Sequence, residues 1–269
     1  MADEKERESY IIAKRPYYEP IGDEVDIFRR AHKQKQHVAI TGPTGVGKTR
    51  FLEYMAHELK LPFLRVICTE DTDASELLGL NTISGWVDGP VLKMVNIGGI
   101  CYLDEVIEAR KDVAVIMHSL TDTSRSVYVP KLGRYFHAPD DFMLVTSYNP
   151  NYQSIAKDLK PSTKQRFITL NFDYPPEGLE RKIIMQEGGV GEQMANSLVQ
   201  FGKATRNFKK SGKLIEGAGT RLLVLAAQQI KEGTPAKRAC EVAVIQPLTY
   251  DYDVIDSLKK EHLDLVFGK

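Results

Sequence analysis

The stretch GPTGVGKT at residues 42–49 constrains this chain more than any other part of it. It follows the apolar run HVAIT and leads into FLEYMAHEL, where Leu52, Met55, Ala56 and Leu59 recur at helical spacing. A strand, a glycine-rich turn and a helix in that order are what a phosphate-binding loop needs. Gly42, Gly45 and Gly47 let the backbone turn tightly. The N–H groups from Thr44 to Lys48 are expected to wrap a β-phosphate, with the partial positive charge of the helix N-terminus aimed at the same point. Lys48 is expected to reach the β- and γ-phosphates, and Thr49 to set its hydroxyl on Mg²⁺. The expected nucleotide-binding set is Gly42, Pro43, Thr44, Gly45, Val46, Gly47, Lys48, Thr49 and the adjoining Arg50.

Three further features belong with such a loop. ICYLDE at 100–105 is an apolar strand ending in two carboxylates. Adjacent residues at a strand end diverge, so Asp104 can face Mg²⁺, through water, while Glu105 orients and polarises the attacking water. FMLVTSYNP at 142–150 is another strand with a polar tip. Asn149 stands where a polar sensor would hold the lytic water, although an Asn before Pro is equally a turn residue; Thr146 and Ser147 are secondary candidates. Arg166 and Arg221 are able to stabilise γ-phosphate charge, one across a subunit boundary and the other within the chain from a second domain, and each is equally well read as a surface ion-pair arginine. Arg110 is a third candidate, with pairing to Glu108 or a place at a subunit interface as the alternatives.

Strand-like runs at 37–42, 63–69, 100–105, 142–150 and 167–172 alternate with helical patterns at 23–32, 51–59 and 112–122. That alternation predicts an α/β fold with a mostly parallel sheet and helices on both faces. Asp73, with Glu76 three residues on, reads as a helix cap. Residues 84–89 read as a loop or short hairpin, and 126–139 as a hairpin turning at Leu132 and Gly133. After Pro175 and Pro176, helical patterns dominate at 177–187, 191–205, 220–232, 234–244 and from 253. The expected organisation is an N-terminal extension at 1–20 whose first ten residues are loose, a nucleotide-binding αβα domain at 21–175 and an all-helical lid at 176–269.

Lys plus Arg equals Asp plus Glu at 36 each, so charge gives no reason to expect nucleic acid or an anionic membrane as partner. No apolar run is long enough to span a membrane, the charged start is unlike a secretion signal, and a cytoplasmic location is the expectation. Cys68, Cys101 and Cys240 are too few and too scattered for a disulfide framework and read as core thiols. The histidines form no zinc motif. Trp86 reads as a packing residue, and Tyr250–Asp253 as a polar loop between helices.

The ordered set GPTGVGKT, YLDE, SYNP, QRF and GTRLL resembles the MoxR branch of AAA+ ATPases. Within it the chain is similar to the CbbQ/NirQ/NorQ family over almost its whole length: PYY at 16–18, GPTGVGKTRF, EYMA, WVDGP, CYLDEVIEAR, SYNPNYQS, KDLKPSTKQRF, FDYPP, EGAGTRLLVLA and QPLTYDYD. The resemblance assigns Lys48 and Thr49 to nucleotide and Mg²⁺, Asp104 and Glu105 to the Walker B pair, Asn149 to sensor 1, Arg166 to the arginine finger and Arg221 to sensor 2. It implies an ATPase working as a homo-hexamer, with a CbbO-like partner carrying a von Willebrand factor A domain. EYMA, CYLDEVIEAR and KDLKPSTKQRF look most like CbbQ members, so the expected client is inhibited Rubisco, from which a bound sugar phosphate is released. Maturation of nitric oxide reductase, the role of NorQ- and NirQ-like members, is the alternative. Val46 stands where this group often has Cys, and Leu80 where Arg is common; the backbone does the phosphate binding, so Val46 leaves it intact.

Overall fold

The structure is a computed structural model that describes residues 2–150 and 159–268. The NYQSIAKD stretch at 151–158, which carries part of the family resemblance, lies outside the described residues. The chain divides into two compact units, Met1–Gly42 with Lys48–Phe172, and Pro43–Gly47 with Asp173–Lys269.

The strands of the first unit are β1 (His37–Thr41), β2 (Phe63–Ile67), β3 (Gly79–Thr82), β4 (Gly85–Asp88), β5 (Ile100–Asp104), β6 (Ser126–Val129), β7 (Arg134–His137), β8 (Met143–Tyr148) and β9 (Phe167–Asn171). Five of them form one parallel sheet in the order β2-β5-β8-β1-β9. Every residue of β1, β5 and β8 is buried, which is why these strands are continuous apolar runs rather than alternating ones. β2 and β9 are the edges, and both are only partly covered. Because the sheet is parallel, the carboxyl ends of β1, β5 and β8 open on the same rim, where ligands of open α/β sheets bind.

Helices of this unit are α1 (Ala2–Ser9), α2 (Glu24–Lys33), α3 (Lys48–Leu59), α4 (Ala74–Leu78), α5 (Pro90–Ile97), α6 (Val113–Thr121) and α7 (Pro161–Lys164). α3 buries Leu52, Met55 and Ala56 of the predicted face, with Phe51 beside them, whereas Leu59 at its end is only half-buried. The Asp73 carboxylate accepts the Glu76 N–H at 2.8 Å and caps α4. β6 and β7 form the predicted hairpin, with Gly133 left-handed at its turn. The apolar strand-and-helix core includes Leu92, Met94, Cys101, Leu103, Met117 and Leu144. Burial pushes the Cys68 and Cys101 thiols up to about 12, as befits inert core cysteines.

Two expectations need correction. Residues 2–9 are helical rather than loose. The polar α1 is tied down by long-range contacts that local sequence does not reveal: Arg7 pairs with Asp141 and donates to the Ile97 carbonyl, and Lys93 pairs with Glu6 at 3.2 Å. The second hairpin begins well before residue 84, because β3 pairs with β4 from Gly79 to Asp88. Trp86 donates from its ring nitrogen to Asp88 and packs against the core, so it is a packing residue.

The second unit contains α8 (Glu177–Gly188), α9 (Glu192–Lys210), α10 (Thr220–Lys231) and α11 (Ala236–Cys240), the last running on through a π-type turn at Glu241–Ile245. α9 extends past the predicted end because Phe208 joins the core formed by Leu198, Phe201, Leu223, Ala227 and Val244. Asp251 caps the following Tyr252–Leu258 helix through the Asp253 and Val254 N–H groups, so that segment is a helix start rather than only a loop. One fully buried carboxylate, Glu180, accepts both Arg206 Nη atoms at 2.8 and 2.6 Å and the Thr220 hydroxyl at 2.7 Å. Arg206 also donates to the Ala218 carbonyl and lies 4.1 Å over the Tyr174 ring. Each polar atom of this pair is engaged, as a buried ion pair requires.

His37 opens β1 with its ring buried; its Nδ1 accepts the Leu144 N–H at 3.0 Å. Burial, with Arg125 nearby, pulls its pKa down to about 4. The folded state therefore takes up this proton at lower pH than the unfolded chain. Stability from this site is fully present above about pH 6.5 and is lost as pH falls toward 4. Between pH 6.5 and 5 the protein should lose about 1.5 kcal/mol more than a His37→Gln variant. Urea unfolding of the two proteins at both pH values checks this; equal losses would remove His37 as the cause.

Candidate functional site

The rim holds most of the expected residues, beginning with the Walker A loop. Gly42 has φ +140°, and an added Cβ would lie 2.1 Å from the Phe172 carbonyl oxygen, so only glycine fits there. Lys48 opens α3, is 8% exposed, and donates from Nζ to the Gly42 carbonyl at 2.7 Å. Thr49 follows it on α3, with its side chain near the Tyr102 hydroxyl. Arg50 pairs with Glu53 one helical turn on, at 3.8 Å.

Asp104 ends β5 with its side chain almost wholly buried. Tyr102 stands two residues earlier, hence on the same face of the strand, and its hydroxyl donates to Asp104 Oδ1 at 2.6 Å. Ser147 of the neighbouring β8 donates to the same oxygen, and the two hydroxyls are 2.8 Å apart. Arg65, on edge strand β2, donates from Nε and Nη2 to Asp104 Oδ2 at 2.9 and 2.5 Å. Burial by itself would raise the Asp104 pKa; the Ser147, Tyr102 and Arg65 hydrogen bonds outweigh it and hold the group below the ordinary carboxylate range. Ser147 is therefore the β8 hydroxyl that belongs to this cluster. Thr146, one residue earlier and on the opposite face, has its hydroxyl buried without a partner among the described residues.

Glu105 leaves the strand at φ 55° and ψ 41°. A left-handed backbone costs a non-glycine residue about 1 kcal/mol, and such strain gathers at functional turns. The turn takes the Glu105 side chain out of the alternation that would have sent it to the far face. Asn149, just past β8, is 1% exposed, so it is part of the buried rim and not a surface turn residue. Arg166 precedes β9, is exposed, and donates to the Ser162 carbonyl. Arg110 pairs with Asp73 at 3.8 Å and donates its N–H to the Thr72 carbonyl.

Pro43, Thr44, Gly45, Val46 and Gly47 form the loop tip and cluster with the second unit. There the Thr44 N–H donates to the Glu216 carboxylate at 2.9 Å, and the Arg221 N–H to the Gly45 carbonyl at 3.2 Å. An added Cβ on Gly219 would lie 2.3 Å from the Thr44 carbonyl oxygen. The Glu216 carboxylate thus engages the same Thr44 N–H that the sequence assigns to phosphate. Arg221 stands beside the loop tip.

The oxygen donors suit a hard cation. Thr49 and Asp104 both meet the Tyr102 hydroxyl, and among the described residues no cluster of three or more His, Cys, Asp or Glu could hold a metal by itself. Few protein ligands, completed by phosphate and water, is the usual Mg²⁺ arrangement. Sequence reasoning missed Arg65 and Glu216. The one available signal for Arg65 was a charge inside an otherwise apolar strand, FLRVI; for Glu216 there was none.

A parallel αβα core with this loop and acid pair on its rim, and a separate helical unit, defines an AAA+ ATPase. Residues 37–167 match the AAA domain (dynein-related subfamily) model, and 180–262 match the CbbQ/NirQ/NorQ C-terminal model. The denitrification regulatory protein NirQ of Pseudomonas aeruginosa is 46% identical over 90% of this chain and 95% of its own length. Protein CbbQ of Hydrogenophilus thermoluteolus is 44% identical over 94% of this chain and 96% of its own. The chain belongs to the CbbQ/NirQ/NorQ family of AAA+ ATPases. Among solved structures, RuvB of Thermotoga maritima shares the fold, with a TM-score of 0.56 and 14% identity over 93% of this chain and 74% of that one. No helix among the described residues is long and apolar enough to cross a membrane.

Replacing Tyr102 by Phe leaves Asp104 buried with one donor fewer. The expected loss is about 1.5–3 kcal/mol at pH 7, the range for a hydrogen bond to a charged group. The folded-state pKa of Asp104 is depressed, so its stabilisation is present above the unfolded carboxylate pKa and disappears as pH falls through the folded value. The Tyr102→Phe penalty should therefore shrink below about pH 4. Denaturant unfolding at pH 7 and pH 3.5 checks it; a pH-independent penalty would mean the hydroxyl acts by packing alone.

Proposed function

We propose that this ATPase drives maturation of a denitrification enzyme, nitric oxide reductase, as a ring of six copies working with a von Willebrand factor A-domain partner. The observation that carries the reading is the likeness to the denitrification regulatory protein NirQ, 46% identical over 90% of the chain. This reverses the order expected from the sequence, which put Rubisco first. Remodelling of inhibited Rubisco stays as the second reading, favoured by the 44% identity to CbbQ over 94% of the chain.

In the proposed mechanism Lys48 and the loop N–H groups bind the ATP phosphates. Thr49 and Asp104 would hold Mg²⁺. When bound, the metal neutralises charge on the phosphates during transfer. Glu105 orients and polarises the attacking water, and Asn149 helps hold it. Arg221 steadies the γ-phosphate from the chain's own helical unit. Arg166, exposed at the start of β9, supplies charge to a neighbouring copy's site. The left-handed turn at Glu105 supports a separate task, because the backbone leaves β5 there and the side chain no longer follows the alternation of the strand.

Glu105→Gln should bind ATP with unchanged affinity while turnover falls at least about 100-fold. Equilibrium ATP binding and phosphate release measured on one preparation check this, and undiminished release would reject Glu105 as the water-orienting group.

The client is tested by producing nitric oxide reductase with and without this protein and its partner. Reductase activity should rise with the intact protein and stay low with Glu105→Gln. In parallel, sugar-phosphate-inhibited Rubisco is incubated with the protein, the partner and ATP. Reactivation of Rubisco with no effect on the reductase would transfer the chain to the second reading.

A further inference from the structure

Arg65 is a cation paired directly with Asp104, and nothing in the ATPase chemistry above uses it. Its position follows from the sheet. Arg65 pairs with Tyr102 across β2 and β5, and Asp104 lies two residues further along the same face. Both N–H groups of the guanidinium land on a single oxygen, Oδ2. The other oxygen, Oδ1, already accepts the Tyr102 and Ser147 hydroxyls. Any metal-bound water approaching Asp104 must therefore use the oxygen that Arg65 covers.

The two partners differ in freedom. The Asp104 side chain is 8% exposed and pinned by two neighbouring hydroxyls, whereas the Arg65 side chain is 38% exposed at the sheet edge. A guanidinium bound to one carboxylate oxygen lacks the two-oxygen fork that makes such pairs hard to break. Arg65 can swing into water; Asp104 cannot follow it. A divalent ion arriving at Asp104 would also repel the guanidinium at close range.

We propose that Arg65 is a built-in counter-cation for Asp104, a positioning residue that occupies the carboxylate before Mg²⁺ loads and must be displaced when it does. This rests on the reading of Asp104 as the metal-side carboxylate. It makes Mg²⁺ loading a competition inside one subunit. The buried carboxylate stays ordered and compensated through the metal-free part of the cycle, at the cost of weaker metal binding.

The test measures binding of a fluorescent ADP analogue to the full-length protein as Mg²⁺ is raised from EDTA-buffered levels. Removing the competitor with Arg65→Gln should lower the Mg²⁺ concentration for half-maximal enhancement by roughly two- to five-fold, the range open to a partly exposed ion pair. Binding in EDTA should not change. Arg65→Lys, which keeps the charge, should stay close to the parent. An unchanged or raised Mg²⁺ requirement in Arg65→Gln overturns the proposal, and so does altered binding in EDTA, which would put Arg65 on the nucleotide instead. Asp104→Asn separates the underlying reading: if Mg²⁺ still enhances binding there, Asp104 is not the metal-side carboxylate, whatever Arg65 does. Should Arg65→Gln fail to fold, the unsubstituted protein decides by NMR. The Arg65 Nε–H should lose protection from exchange on adding Mg²⁺ with ADP, but not on adding ADP in EDTA; retained protection under both conditions overturns the proposal.

Discussion

A carboxylate buried at the end of an interior parallel strand is tolerable only if its surroundings supply donors, and Asp104 obtains one from each direction the sheet offers. Its own strand contributes Tyr102 because side chains repeat every two residues. The neighbour on one side contributes Ser147, and the neighbour on the other contributes Arg65. Only the order β2-β5-β8 gives β5 both of these partners. Moving any one strand by a single residue would turn its contributing side chain to the opposite face and remove a donor from the buried charge. The sheet order, the strand register and the charge state of Asp104 are thus one constraint. The rim that carries Lys48, Glu105 and Asn149 inherits its geometry from it.

What local sequence could reveal follows from that constraint. The interior strands β1, β5 and β8 were legible because burial on both faces writes continuous apolar runs, and the loop after β1 because phosphate binding dictates its glycines. The Asp73 cap and the Gly133 turn were legible for the same reason: a short stretch of backbone demands a particular side chain or the lack of one. Pairings made across long separations were not legible. Nothing near residue 2 foretells that α1 is fastened through Arg7 to Asp141, and nothing near Glu216 foretells that it takes the N–H of Thr44. Arg65 left a faint trace as a charge in an edge strand, but edge strands commonly carry charges to discourage pairing with other chains. The client left no trace in the site at all, since phosphate chemistry is shared by every member of the family, and only likeness along the whole chain separates the readings.

Two buried carboxylates, Glu180 and Asp104, show why one arginine can be a fixture and another a replaceable guest. Arg206 is 12% exposed beside a Glu180 with no exposure. It engages both carboxylate oxygens, reaches a backbone carbonyl as well, and is covered by the Tyr174 ring. Pulling it away would strand several buried groups at once, so the pair acts as a rivet for the loop that runs from Glu216 into α10. Arg65 has one oxygen, no ring over it and open water beside it. Its departure strands only Asp104 Oδ2, the atom a metal-bound water can satisfy in its place. Exposure and the number of engaged oxygens, more than the presence of an ion pair, separate the contact that fixes the fold from the one that can be exchanged during a catalytic cycle.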